Sequence, residues 1–191
     1  MVGVLALQGG FEAHEKVIRR LGGRTRQVRI PSDLEGLDGL ILPGGESTTM
    51  TLGVEREGLR DPLRAFAASG RPVLGTCAGM IMLDREHLGI LDGVAERNAF
   101  GRQLHSFEAD FEVAGIPGGP LHAIFIRAPW MAERGPAIEV LAEVDGNPVA
   151  VRQGNILALS FHPELTGEDR VHRLFLSEVG DRRGEADGEI G

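Results

Sequence analysis

The feature that most constrains this chain is a set of apolar runs that each end on a glycine turn. Val2 to Leu7 runs into Gln8-Gly9-Gly10, Leu37 to Leu42 into Pro43-Gly44-Gly45, and Pro72 to Gly75 into Thr76-Cys77-Ala78-Gly79. A strand with no polar side is buried on both faces, so its sheet must be covered on both sides. The segments between the runs supply the cover. Phe11, His14, Val17, Ile18 and Leu21 fall at helical spacing, and Gly22-Gly23 stops that helix. Ser47 is a candidate cap for a second helix, Leu59 to Ala68 reads as a third, and Met80 to Leu83 begins a fourth. Thr25 to Ile30 is a weaker strand stopped by Pro31. Strands alternating with helices over about the first 85 residues predict a parallel, doubly wound α/β sheet.

The second half has a different rhythm. Ala109 to Val113, Ala123 to Ile126, Ile138 to Val144, Pro148 to Arg152 and Ile156 to Phe161 read as short strands. Asp145-Gly146-Asn147 and Gln153-Gly154-Asn155 read as hairpin turns between them. This half is expected to add antiparallel strands to the parallel sheet. Glu168 to Val179 reads as a closing helix, and the polar stretch from Gly180 to Gly191 as a disordered tail. One domain over residues 1–179 is the expected organisation, in keeping with a chain of 191 residues.

Several function classes are disfavoured at once. The net charge is −8 with no basic run, which argues against nucleic acid as the main partner. No apolar stretch reaches the roughly 18 residues of a membrane span, and the start reads as a strand rather than a signal peptide. With one cysteine, Cys77, there is no intramolecular disulfide and no CxxC zinc site. A lone thiol suits a reducing compartment, so a cytoplasmic location is expected.

The strongest chemical signal is Gly75-Thr76-Cys77-Ala78-Gly79, between a strand and a helix. A nucleophile on so tight a turn projects at the carboxyl end of the sheet, and the small neighbours let strand and helix approach. The helix N-terminus favours a thiolate there, and the N–H of Ala78 is free to meet an oxyanion. A free cysteine is more often a small buried hydrophobe; the strand–turn–helix setting is what argues otherwise here. His162-Pro163-Glu164 follows the strand ending at Phe161 and offers a base with its orienting carboxylate. In an extended segment residues two apart point the same way, so Glu164 would hold the His162 ring from behind. Alone, the tripeptide would be an ordinary loop. His14 reads as a packing or surface residue of its helix, while His87, His105, His122 and His172 carry no paired carboxylate motif. No two histidines have helical metal-ligand spacing, so neither metal nor cofactor is expected. The Gly44-Gly45-Glu46-Ser47 turn can offer N–H groups to an oxyanion or carboxylate; no Lys follows it, so it is not a phosphate loop.

The cysteine turn and the His-Pro-Glu segment together resemble class I (triad) glutamine amidotransferases. Leu5-Ala6-Leu7-Gln8-Gly9, Leu42 to Thr49, Asn98 to Gln103, Phe125 to Pro129 and Phe161 to Glu164 are similar to the glutaminase subunits of deoxyxylulose-independent pyridoxal 5'-phosphate synthases, nearly along the full chain to Val179. The resemblance implies a flavodoxin-like three-layer sandwich that hydrolyses L-glutamine to glutamate and ammonia. It implies a hetero-oligomer with a barrel-shaped synthase subunit, which uses the ammonia, ribose 5-phosphate and glyceraldehyde 3-phosphate to make pyridoxal 5'-phosphate. By the same resemblance Cys77, His162 and Glu164 are catalytic, Ala78 and Gly45 supply the oxyanion donors, and Gly45, Glu46, Ser47, Arg102, Ile126 and Arg127 contact substrate. The two arginines also suit an α-carboxylate on charge grounds. Many class I enzymes carry Gln where this chain has Met80, a change the vitamin B6 branch tolerates. Trp130 is left between core and partner surface. Alternatives are a glutaminase for histidine or anthranilate synthesis, from which Gly-Gly-Glu-Ser-Thr-Thr is not expected, and a binding module with a dead site, against which the intact Cys, His and Glu set argues.

Overall fold

A computed structural model describes residues 1–97 and 106–188, with side chains as far as Asp181. In chain order the described residues form β1 (Val2–Leu5), α1 (Phe11–Arg20), β2 (Thr25–Val28), β3 (Gly39–Leu42), α2 (Ser47–Arg56), α3 (Arg60–Ala68), β4 (Val73–Thr76), α4 (Ala78–Leu83), β5 (Gly93–Glu96), β6 (Ser106–Phe111), β7 (Leu121–Ile126), β8 (Trp130–Arg134), β9 (Glu139–Val144), β10 (Asn147–Gln153), β11 (Ile156–Leu159) and α5 (Arg170–Gly188).

Seven strands make the central sheet, in the order β2-β1-β3-β4-β11-β10-β9. The first five are parallel; β10 and β9 extend the β11 edge antiparallel. The parallel part has the strand order of flavodoxin-like doubly wound sheets, as expected from the sequence. Its unbroken apolar runs are explained by where their side chains go. On β3, Leu40 and Leu42 enter one core and Ile41 the other; on β11, Ile156 and Ala158 oppose Leu157 and Leu159. The first core is closed by α2, α3 and α4 through Met50, Val54, Leu63, Phe66 and Met80. The second is closed by α1 and α5 through Ile18, Val171 and Phe175, and by the β6–β7 ribbon through Ala123 and Phe125. The result is three layers.

An aromatic cluster fixes that ribbon. Phe107 stacks on Phe125 with ring centroids 4.5 Å apart, and Phe161 meets Phe111 edge-on at 5.5 Å and Phe125 at 5.7 Å. Each such pair contributes about 0.5–1.5 kcal/mol beyond its buried area. Because Phe161 leads directly into His162 and Phe125 precedes Ile126, the cluster sets the end of β7 over the end of β11.

Other details refine the sequence reading. Asp145 and Gly146 have φ of 52° and 75°, as a two-residue type I′ hairpin between β9 and β10 requires. The β5–β8 pair was not anticipated; it is a separate two-stranded ribbon with a bulge, and it places Trp130 at the start of β8 opposite Glu96. The cap of α2 is Glu46 rather than Ser47: its carboxylate accepts from the N–H groups of Thr48 and Thr49 at 3.0 and 2.7 Å. A carboxylate two bonds longer than a serine hydroxyl reaches both orphan donors at once. The helix expected to end at Val179 continues to Gly188, and residues 189–191 lie outside the described residues. Among the described residues no helix is long and apolar enough to cross a membrane.

Candidate active site

Four loops at the carboxyl ends of parallel strands converge: Gln8 after β1, Gly44 to Ser47 after β3, Cys77 after β4 and His162 after β11. In a sheet of this order the crevice lies at these ends, where the strand order reverses between β1 and β3. Cys77 caps α4 with φ 50° and ψ −109°, a backbone conformation that costs a non-glycine residue about 1–3 kcal/mol. The turn is held by the Cys77 N–H donating to the Leu159 carbonyl at 2.8 Å and by Met80 N–H donating to the Cys77 carbonyl at 3.0 Å. Gly79 is required by contact, since a Cβ there would overlap the Leu42 carbonyl oxygen.

His162 and Glu164 are brought to the sulfur together. The His162 Nδ1 lies 2.7 Å from Glu164 Oε1, and the ring and the Cys77 side chain flank the same point, where a Cβ on Gly44 would meet both. Cys77, His162 and Glu164 are 7%, 9% and 9% exposed, so these contacts are shielded from water. Burial pulls the His162 pKa down, but the Cys77 and Glu164 partners outweigh it and raise the value to about 10. Burial pushes Glu164 up, but neighbouring His14 and His162 hold it below the ordinary carboxylate range. The sequence reading put Glu164 on an extended segment. Pro163–Leu165 is instead a 3-10 turn with His162 as its cap, and the turn delivers the carboxylate to Nδ1.

A cavity of about 670 Å³ opens over the sulfur. Gly45, Glu46, Ser47, Ala78, Ile126 and Arg127 line it along with Cys77 and His162. Arg102 lies outside the described residues. The Cys77 Sγ sits 3.7 Å from the Ile126 carbonyl oxygen, and Arg127 beside it has φ 46°. A strained residue here is a sign of a site that the surrounding fold over-determines. The Glu46 carboxylate is committed to its helix: hydrogen bonds from Thr49, then Thr48, lower its pKa to about 2. The backbone N–H of Glu46 is also engaged, donating to Gln8 Oε1 at 2.7 Å. The neighbouring Gly44 carbonyl accepts from Gly10 N–H at 2.9 Å, so the β1 loop clasps the β3 loop at two points.

Gln8, Arg97 and Ser106 line the cavity without having been singled out as site residues. Gln8 carried a usable signal, a polar residue at the end of a fully apolar strand. Arg97 did not; it reaches the cavity through a contact of 3.1 Å to Thr48 Oγ1, far away in sequence. Two histidines without a paired carboxylate motif in the sequence find carboxylates in the fold: His87 Nδ1 is 2.7 Å from Asp84, and His122 Nδ1 is 2.8 Å from Asp110 directly across the β6–β7 ladder. Neither pair belongs to a sequence motif, because one closes a turn and the other depends on strand register. Among the described residues no group of three or more His, Cys, Asp or Glu side chains is arranged to hold a metal.

A model of the SNO glutamine amidotransferase family matches residues 4–181. The pyridoxal 5'-phosphate synthase subunit PdxT of Parafrankia sp. is 51% identical over 198 residues, covering 97% of this chain and 98% of the relative. The subunit of the same name from Frankia casuarinae is 52% identical over 187 residues, covering 93% and 94%. A solved structure described as a glutamine amidotransferase superposes with a TM-score of 0.88 at 48% identity, over 94% of this chain and 98% of the other.

Proposed function

Because the chain belongs to the SNO glutamine amidotransferase family, we propose that it hydrolyses L-glutamine through Cys77, His162 and Glu164 and passes the ammonia to a barrel-shaped subunit that makes pyridoxal 5'-phosphate. The observation that supports the triad is that Cys77 and His162 line one cavity while Glu164 hydrogen-bonds the His162 ring behind it. The acceptor reaction follows from the name that the relatives share.

The Cys77 sulfur attacks the side-chain amide carbon, forming an S–C bond and a tetrahedral oxyanion. The N–H of Ala78 is the first of α4 and has no carbonyl of its own helix to bond, so it is suited to that oxyanion. A second N–H from the Gly45 peptide completes the hole. That peptide is held by Gly10 through the Gly44 carbonyl, and turning its N–H inward breaks this one bond. Docking on the synthase would supply the energy for that turn. His162 is protonated at neutral pH by the balance above and gives its proton to the leaving ammonia as the C–N bond breaks. It then takes a proton from water, which attacks the thioester and releases glutamate. Arg102 and Arg127 are assigned to the substrate α-carboxylate, with Gly45, Ser47 and Ile126 contributing backbone contacts.

The test is Cys77→Ala in the assembled complex. Glutamine turnover should fall below detection while the complex still forms. Turnover near that of the parent would remove Cys77 as the nucleophile.

A further inference from the structure

Behind the triad lies a buried polar chain that the mechanism does not use. His14 on α1, Thr76 at the end of β4 and His172 on α5 are all 0% exposed. His14 Nδ1 lies 3.0 Å from His172 Nε2, and His14 Nε2 lies 3.0 Å from Thr76 Oγ1 and 3.4 Å from Glu164 Oε2. The two oxygens of Glu164 differ: Oε1 is hydrogen-bonded by His162, whereas Oε2 has no hydrogen bond among the described residues and faces His14 Nε2 at 3.4 Å.

The proton positions in this chain follow from which arrangement leaves the cheaper orphan. If Nδ1 of His14 carried the proton and donated to His172 Nε2, His172 would bear its own proton on Nδ1. That atom has no partner among the described residues, so a buried donor would go unsatisfied. His14 would also aim a lone pair at the Glu164 carboxylate. In the other tautomer His172 Nε2–H donates to His14 Nδ1, and the His14 Nε2–H faces both Thr76 Oγ1 and Glu164 Oε2. Only a lone pair on His172 Nδ1 is then left over. Burial lowers the pKa of both rings, His172 to about 3, so both are neutral and the choice is between tautomers rather than charges.

We propose that His14 is a positioning residue for the hydrolysis: its Nε2–H holds the outer oxygen of Glu164, and His172 fixes the tautomer that makes this possible. The inference rests on the triad reading above and deepens it. It joins α1, β4 and α5 to the His162 turn, so the docking of both outer helices sets the aim of the catalytic imidazole. A carboxylate held at one oxygen can rotate away; one held at both presents Oε1 to His162 in a single orientation.

Imidazole ¹⁵N–¹H correlation spectra of the isolated chain test the wiring without any turnover. The expected result is a neutral His14 with its proton on Nε2, and a His162 titration midpoint that drops by about one pH unit or more, a tenfold change, in His14→Leu. His14→Gln, whose amide N–H reaches the Nε2 position, should restore the midpoint; His14→Asn, which reaches only the Nδ1 position, should not and serves if the leucine variant does not fold. In the complex with the synthase, His14→Leu should lower kcat for glutamine about tenfold or more with KM unchanged. A proton on Nδ1 of His14, a midpoint unmoved in both the Leu and Asn variants, or Gln and Leu variants alike would overturn the proposal. Loss of the glutaminase reading would show instead as a parent complex with no ammonia release and would leave the spectra as predicted.

Discussion

The surroundings of His162 decide its charge state. Its pKa of about 10 in the folded chain stands above the ordinary 6.5, because Cys77 and Glu164 together outweigh burial. A raised folded value means stability that is complete below the unfolded pKa and is lost as pH rises through the folded one. The unfolding free energy should therefore fall between about pH 7 and pH 10, by an amount on the order of a few kcal/mol read from denaturant titrations, and His162→Gln should flatten that decline. A parent protein equally stable at both ends of the range would contradict the assignment. Gly79 makes a second residue-scale case. The atom a Cβ would meet is the backbone oxygen of Leu42, which cannot swing aside as a side chain would. Gly79→Ala should cost about 2–3 kcal/mol, a drop of roughly 4–12 °C in Tm for a chain of this size. An unchanged Tm by calorimetry would mean the elbow is looser than described. Residue by residue, Cys77 and the His162–Glu164 pair were legible in the sequence because each sits in a short local pattern at a strand end. His14, Gln8 and Arg97 were not, because what they do depends on partners that only the folded chain brings near.

At the scale of elements the same division holds. β1, β3, β4 and β11 were readable because both faces of each are buried, which leaves an unbroken apolar run in the sequence. β5 and β8 were not: Gly93–Glu96 and Trp130–Arg134 are short, partly exposed, and held chiefly by pairing with each other across a bulge. The β9–β10 hairpin was readable through its turn chemistry, and that chemistry can be tested. Gly146 stands at φ 75°, where an L side chain costs about 1–2 kcal/mol, so Gly146→Ala should destabilise by that amount without touching turnover. A neutral substitution would argue for another turn type. Helix α2 depends on Glu46, whose carboxylate is spent on its own first turn. The Glu46 carboxylate is accordingly not free for a substrate.

For the whole molecule, the architecture explains why the site sits where it does. One covering layer supplies the α4 N-terminus that receives Cys77, the other supplies the helices and the β6–β7 ribbon around His162 and Glu164, and the sheet ends bring them together. The clasp between Gly10 and Gly44 lies at the reversal of strand order, and it is the bond that the proposed turn of the Gly45 peptide would break. The central claim, glutamine hydrolysis at Cys77 in the service of a synthase, is tested most directly by measuring ammonia release from glutamine by the purified chain, alone and bound to the barrel subunit, with Cys77→Ala alongside. Release that appears with the partner and vanishes in the variant is the predicted result; no release from a complex shown to have formed, or undiminished release by the variant, would contradict it.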